Sequence, residues 1–245
     1  MHKFYSPQKQ ISVDTIIIEE PEQVHHIKDV LCLKQAEEVG VFDESSNTYK
    51  CVVADLLKDK VILKIVARGL GGNNAGTKIS VACAIPKNSR MDDIVNKLTQ
   101  LGVERIIPLI TERVVVKLDS RKMELRNKRW EKIALSASCQ SQRNSLVILE
   151  PICDFSAVIS SSKGYDLKII PTLCAERKPL KDILLGLRPK NALILIGPEG
   201  DFSDSEIALA VKAGFLPVSL GGPVLRVETA AVAAAGFLQL FYAEH

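Results

Sequence analysis

The chain has 245 residues, 47% of them hydrophobic and 25% charged, with a formal net charge of +3. That is enough apolar material for one large core or two modest ones, which excludes a disordered or fibrous chain. No apolar run reaches the roughly 18 to 20 residues of a membrane span, and MHKFYSPQKQ at the start lacks the apolar centre of a signal peptide, so a cytoplasmic location away from membranes is expected. The six cysteines lie apart with no C-x-x-C pair, and there are four histidines. Neither a metal site nor a disulfide framework is expected from that pattern.

The first 67 residues read as short strands: VDTIII (13–18), EVGVFD (38–43), TYKCVVADL (48–56) and KVILKIVA (60–67). They are rich in β-branched residues and separated by turn-formers such as DESSN (43–47). One helical piece, PEQVHHIKDVLCL (21–33), places Val24, Ile27, Val30 and Leu31 at helical spacing, so a small barrel carrying one helix is expected. The run GLGGNNAG (69–76) reads as a linker.

Strands and helices then alternate. ISVACAI (79–85), RIIPLI (105–110), DLKIIPT (166–172), NALILIG (191–197) and FLPVSL (215–220) are apolar strands, and long helices are expected over 90–101 and 121–142. The pattern is that of an α/β domain with a mainly parallel sheet, where ligands bind beyond the carboxyl ends of strands. The loops after Pro171, Ile196 and Leu220 are therefore the ones to inspect. Basic residues concentrate between 86 and 132, where Lys and Arg number 12 against 7 Asp and Glu. Within Arg113–Lys132, this run reads either as a solvated helix face or as a phosphate-contacting surface.

The loop ILIGPEGDFSDSE (194–206) stops a strand at Gly197-Pro198-Glu199-Gly200, and Ser203 with Glu206 has the capping-box spacing. Two glycines around Pro-Glu give a rigid backbone that a flat ligand could approach closely, or simply a tight turn. SLGGPVLRVETAA (219–231) repeats the pattern, and two such loops on adjacent parallel strands would face each other. P-loop, dinucleotide-fingerprint, hydrolase-elbow and zinc-protease motifs are absent from the sequence.

IGPEGDFSDSE (196–206) followed by LGGPVLRVETAA (220–231) resembles the paired signature of the RsmE family of ribosomal RNA uridine-N3 methyltransferases, of the SPOUT class. KLTQLGVERIIPLITER (97–113), KRWEKIALSASCQSQR (128–143) and VHHIKDVLCLK (24–34) resemble further segments of that family in the same order. The resemblance implies a PUA-like β-barrel over 1–70 that helps bind RNA, a linker over 71–78, and a SPOUT α/β domain with a deep trefoil knot over 79–245. It implies a homodimer acting on ribosomal RNA of the small subunit, with S-adenosylmethionine as cofactor. Carried onto this chain, the cofactor loops are Leu173, Cys174 and Ala175; Ile196, Gly197, Pro198, Glu199 and Gly200; and Leu220, Gly221, Val224, Leu225 and Arg226 with Thr229 and Ala230.

Arg226 and Arg143 are the candidates to stabilise charge on the base, with Glu199 as a candidate proton acceptor. Lys3, His25, His26, Arg113, Gln140, Ser141 and Arg143 are the candidate RNA contacts. Three positions depart from the family pattern: Asp201 replaces a glycine, Pro223 an arginine and Cys32 an arginine. Those losses of positive charge keep two alternatives open. One is a related knot enzyme acting on ribose 2′-O or another base; the other is an RNA-binding assembly factor whose activity has decayed.

Overall fold

A computed structural model describes residues 1–69, 76–87, 90–113, 119–174 and 176–243. The chain divides into two compact units, Met1–Asn74 with Leu135–Leu146, and Ala75–Ala134 with Val147–His245. Of the expected linker, residues 71–75 lie outside the described ones, and Lys78 already opens a strand.

The first unit contains β1 (Lys3–Tyr5), β2 (Thr15–Ile18), α1 (Pro21–His25), β3 (Glu38–Phe42), β4 (Thr48–Leu56) and β5 (Val61–Gly69). The sheet runs β1-β3-β4-β5-β2, with β1 parallel to β3 and every other pair antiparallel. Its end strands, β1 and β2, do not pair with each other, so the expected barrel is an open, curled sheet. Register shifts at Lys50/Cys51 and Val53/Asp55 mark irregularities in β4, the kind of extra residue that bends a strand. Along β4, Tyr49, Cys51 and Val53 are buried in alternation, and they meet Val24 and Ile27 from the helical segment.

Pro21 sits in the first turn of α1, where its missing N–H costs no hydrogen bond, and the helix continues through a π-turn over His26–Val30. The turn after β3 is organised by buried Asp43, whose carboxylate accepts from Ser45 N, Asn47 N, Asn47 Nδ2 and the Tyr49 hydroxyl, each at 2.9 Å.

The second unit contains β6 (Lys78–Ala84), α2 (Arg90–Gln100), β7 (Arg105–Ile110), α3 (Ser120–Gln140), β8 (Ile148–Leu149), β9 (Cys153–Asp154) and α4 (Phe155–Ser161). There follow β10 (Leu167–Pro171), β11 (Lys178–Pro179), α5 (Leu180–Leu184), β12 (Asn191–Ile196), α6 (Asp204–Lys212), β13 (Leu216–Ser219) and α7 (Val227–Phe241). The last residues of α3 count with the first unit. All strand pairs are parallel, in the order β11-β13-β10-β12-β6-β7-β8, with β9 also on β7.

Both faces of this sheet are covered. On β12, Ile194 and Ile196 point to a core completed by α2 and by Ala231, Ala234, Ala235 and Leu238 of α7. Leu193 and Leu195 point the other way, to Phe155, Val158, Phe202, Ala210 and Phe215. This two-sided burial is why the strands read as continuous apolar runs. The alanines of α7 let its backbone approach the sheet closely. Trp130 of α3 is buried in the first of these cores, and its Nε1 donates to Asp92 Oδ1 of α2 at 3.0 Å.

Candidate active site

β10, β12 and β13 end at the same edge of the parallel sheet, and the loops leaving them surround one cleft with about 720 Å³ of empty space, its open mouth included. The two glycine loops do not leave adjacent strands as the sequence suggested. β10 stands between β12 and β13, so a third loop joins the wall. From the expected cofactor set, Leu173, Ile196, Gly197, Pro198, Glu199, Leu220, Gly221, Val224, Leu225 and Ala230 line the cleft. Cys174, Gly200, Arg226 and Thr229 do not, and Ala175 lies outside the described residues.

Three polar lining residues escaped the sequence reading and bear on the site's chemistry, Thr172, Arg177 and Ser219, and Asp201, noted in the sequence only as a departure, lines the cleft as well. Arg177 Nη1 donates to the Thr172 carbonyl at 2.9 Å, which brings a permanent positive charge to the cleft wall. Leu173 is 55% exposed and Val224 72% exposed at this lining, so apolar side chains stand ready to cover a ligand.

The loop 197–202 is held from several sides. A Cβ on Gly197 would come to 3.0 Å from the buried Phe202 ring, so any larger residue there would have to push that ring aside. Asp201 has φ +60°, the left-handed region where the family signature carries glycine. Ser203 caps α6: Glu206 N donates to Ser203 Oγ at 3.2 Å, and Ser203 N donates to Glu206 Oε2 at 2.9 Å. Glu206 is itself buried, and its Oε1 accepts from Glu112 N at 3.0 Å. The helix stops before Gly214, whose φ of +88° is the left-handed conformation that glycine adopts freely.

Glu199 Oε1 accepts from Lys87 N at 3.2 Å and lies 3.9 Å from Arg90 Nη1, while Oε2 has no partner among the described residues. Arg90 Nη1 also lies 3.8 Å from Glu228 Oε2, a buried oxygen without a hydrogen bond among the described residues. Arg90 is thus a cation that faces both carboxylates. Arg226 is the exposed N-cap residue of α7, and its side chain has no partner among the described residues. Burial, and then the charges of Glu199 and Glu228, push the Cys83 thiol far up, which leaves it an inert packing residue.

The remaining candidates are spread over both units. Arg113, expected to meet RNA, is in the second unit and donates to the carbonyls of Gly200 and Phe202. Gln140, Ser141 and Arg143 belong to the first unit, at and after the end of α3. Gln140 is exposed, Ser141 Oγ donates back to the Ala137 carbonyl at 2.7 Å, and Arg143 N donates to the Ser138 carbonyl at 3.0 Å. Lys3, in the same unit, donates to the Gln142 carbonyl at 2.8 Å and to Asn144 Oδ1. His25 Nδ1 lies 2.7 Å from Asp29 Oδ2, and His26 packs edge-on to Phe4 with ring centroids 6.4 Å apart. Within the basic run, Lys122, Lys128 and Arg129 pair with Asp119, Glu124 and Asp92, and Lys117 lies outside the described residues. Among the described residues no group of three or more His, Cys, Asp or Glu is placed to hold a metal ion, and no helix is long and apolar enough to cross a membrane.

The RNA methyltransferase domain model matches residues 73–239, and the RNA methyltransferase PUA domain model matches residues 18–66. A ribosomal RNA small subunit methyltransferase E from Mesomycoplasma hyopneumoniae is 31% identical over 95% of this chain and 96% of its own length. The protein of that name from Aquifex aeolicus is 30% identical over 98% of this chain and 100% of its own.

Among solved structures, a ribosomal RNA small subunit methyltransferase E from Neisseria gonorrhoeae bound to S-adenosyl methionine superposes with TM-score 0.85 at 29% identity, covering 99% of this chain and 98% of that one. A Legionella pneumophila protein in complex with SAM superposes with TM-score 0.86 at 34% identity, covering 98% and 97%. The chain therefore belongs to the RNA methyltransferase family. Within it, the chain belongs with the ribosomal RNA small subunit methyltransferases E.

Proposed function

We propose that the chain methylates N3 of a uridine in small-subunit ribosomal RNA, with S-adenosylmethionine as methyl donor. The observation that carries this reading is the convergence of the two glycine loops, 197–200 and 220–222, on one cleft in a chain of this family. The residues present suit that donor. Backbone groups of three loops offer donors and acceptors to a flat base, Leu173 and Val224 offer apolar cover, and Glu199 and Arg177 offer polar ends to the cleft. When bound, S-adenosylmethionine supplies an electrophilic methyl group and a sulfonium charge.

The protein's own tasks follow from the chemistry of uracil. N3 carries a proton on the Watson–Crick edge, so the base must be unpaired before it can react, and the proton must leave. Glu199 is assigned as proton acceptor, because its Oε2 is unengaged at the cleft. Arg226, with its guanidinium unpartnered among the described residues, is assigned to the negative charge that spreads onto the uracil carbonyl oxygens. Arg143, Gln140 and Ser141 in the first unit, with His25, His26 and Lys3, are assigned to RNA, as is Arg113 beyond its loop contacts.

The trefoil knot, the domain limits 1–70 and 79–245 and the homodimer belong to the same reading. Phe237 at 40% exposure and Leu240 at 79% on α7 support a partner copy. A cytoplasmic location follows from the substrate.

The test is methyl transfer from labelled S-adenosylmethionine to small-subunit RNA, free and in particles, followed by nucleoside mass spectrometry. The expected product is 3-methyluridine. A 2′-O-methyl nucleoside would move the assignment to another chemistry of the class, and cofactor binding without any transfer would point to a decayed enzyme.

A further inference from the structure

Asp201 stands where the family signature has glycine, yet its backbone keeps a conformation that glycine adopts freely, with φ +60°. Aspartate tolerates that region better than most L residues because a short polar side chain can bond locally. Here the bonding is local and distant at once. Oδ1 accepts from Phe202 N at 2.8 Å, and Oδ2 accepts from Thr172 Oγ1 at 2.9 Å and from Leu173 N at 2.7 Å. Thr172 is buried, and its Oγ1 in turn accepts from Cys174 N at 3.3 Å. One carboxylate therefore joins the loop after β12 to the loop after β10. Both loops line the cleft, and a glycine at 201 has no side chain with which to make the join.

We infer that Asp201 is a positioning residue that latches two walls of the cleft together before any ligand arrives. The inference rests on the reading that this cleft takes S-adenosylmethionine. A latched cleft has less loop freedom to lose on binding, so the latch acts on donor affinity rather than on the transfer step. Charge-assisted bonds to two amides and a hydroxyl are strong enough for that effect to be measurable.

The experiment compares the unaltered chain with Asp201→Ala, Asp201→Asn and Thr172→Val. Calorimetry with S-adenosylmethionine gives Kd, steady-state transfer gives KM and kcat, and hydrogen exchange of the unliganded chain reads the Leu173 amide. Asp201→Ala is expected to raise Kd and KM for the donor about tenfold while kcat and the KM for RNA stay within about twofold. Leu173 N–H should exchange faster in that variant. Asp201→Asn keeps one acceptor oxygen and should restore part of the affinity, with a loss of about threefold. Thr172→Val deletes one hydroxyl at nearly constant volume and should fall in the same range, which guards against a fold that simply fails.

The latch is overturned if Asp201→Ala binds the donor within about twofold of the unaltered chain, or if kcat falls with KM unchanged, or if the Leu173 amide exchanges at the same rate. If the unaltered chain binds no S-adenosylmethionine, the cofactor reading falls by itself, and the latch is decided by the amide exchange.

Discussion

Arg113 Nη1 donates to the carbonyl of Gly200 at 2.6 Å and to that of Phe202 at 3.2 Å, so a side chain just past the end of β7 grips the C-terminal part of the loop whose residues 197–199 and 201 wall the cleft. The basic run in the sequence suggested a phosphate contact for this arginine. Its geometry gives it a first task inside the protein. Arg113→Ala should raise the Kd for S-adenosylmethionine about threefold to tenfold, the worth of one or two exposed charge-assisted bonds. Arg113→Lys keeps one donor and should lie between. Calorimetry with the donor checks this, and a fall in RNA affinity alone, by filter binding, would contradict it.

Glu206 holds three parts of the same wall. Its carboxylate accepts from Ser203 N and Glu112 N while it is buried. Glu206→Ala should lower stability by about 2 to 3 kcal/mol, because the buried Ser203 amide and the part-buried Glu112 amide lose their acceptor and α6 loses half of its capping box. Glu206→Gln keeps one acceptor and should cost about half as much. A lower urea midpoint at unchanged slope is the measurement.

Arg226 should behave in the opposite way. It is exposed, caps α7 without a side-chain hydrogen bond, and has no partner among the described residues. Arg226→Ala should therefore leave the unfolding midpoint unchanged to within about 0.5 kcal/mol. Methyl transfer should fall by roughly two orders of magnitude, as for loss of one charge-stabilising donor. Normal turnover would remove Arg226 from the reaction.

Alkaline pH should weaken the fold through its thiols. Burial pushes Cys139 up to about 11 and Cys51 up to about 12. Unfolded thiols ionise from about pH 8.5 to 9, so between there and the folded values the unfolded chain binds fewer protons, and stability falls as pH rises. Cys139 alone accounts for about 1.4 kcal/mol by pH 10. Cys139→Ala should flatten the drop between pH 8 and 10 by that amount, measured from denaturant midpoints. At neutral pH, exposed Cys32 should react with a thiol reagent well before buried Cys51 and Cys83.

The sequence made the strands legible because parallel strands buried on both faces are continuous apolar runs, and the two glycine loops legible because such runs end abruptly. The capping box at Ser203 could be read from spacing alone. Strand β1 could not, because three residues, Lys3–Tyr5, carry no periodicity and are fixed by pairing with β3. The third cleft loop was located, but the polar groups within it were not. Thr172 meets Asp201 across 29 residues of chain, and Arg177 lies in a segment with no pattern at all. What made Asp201 a puzzle in the sequence, an L residue at a glycine position, is explained only by its φ and by the donors that surround it.

The cleft walls are made in the order 172, 197, 221, and the face of β6 and β12 that backs them is covered by Met91, Ile94, Val95 and Leu98 of α2 and, last, by Ala231, Ala234, Ala235 and Leu238 of α7. During synthesis that part of the apolar face which α7 covers stays bare until α7 has cleared the ribosomal exit tunnel. Nascent chains that stop short of residue 227 should therefore be clients of hydrophobic-surface chaperones and bind no donor. The enzyme's maturation is in this sense gated by the last helix of its own fold, and its competence arises in one step.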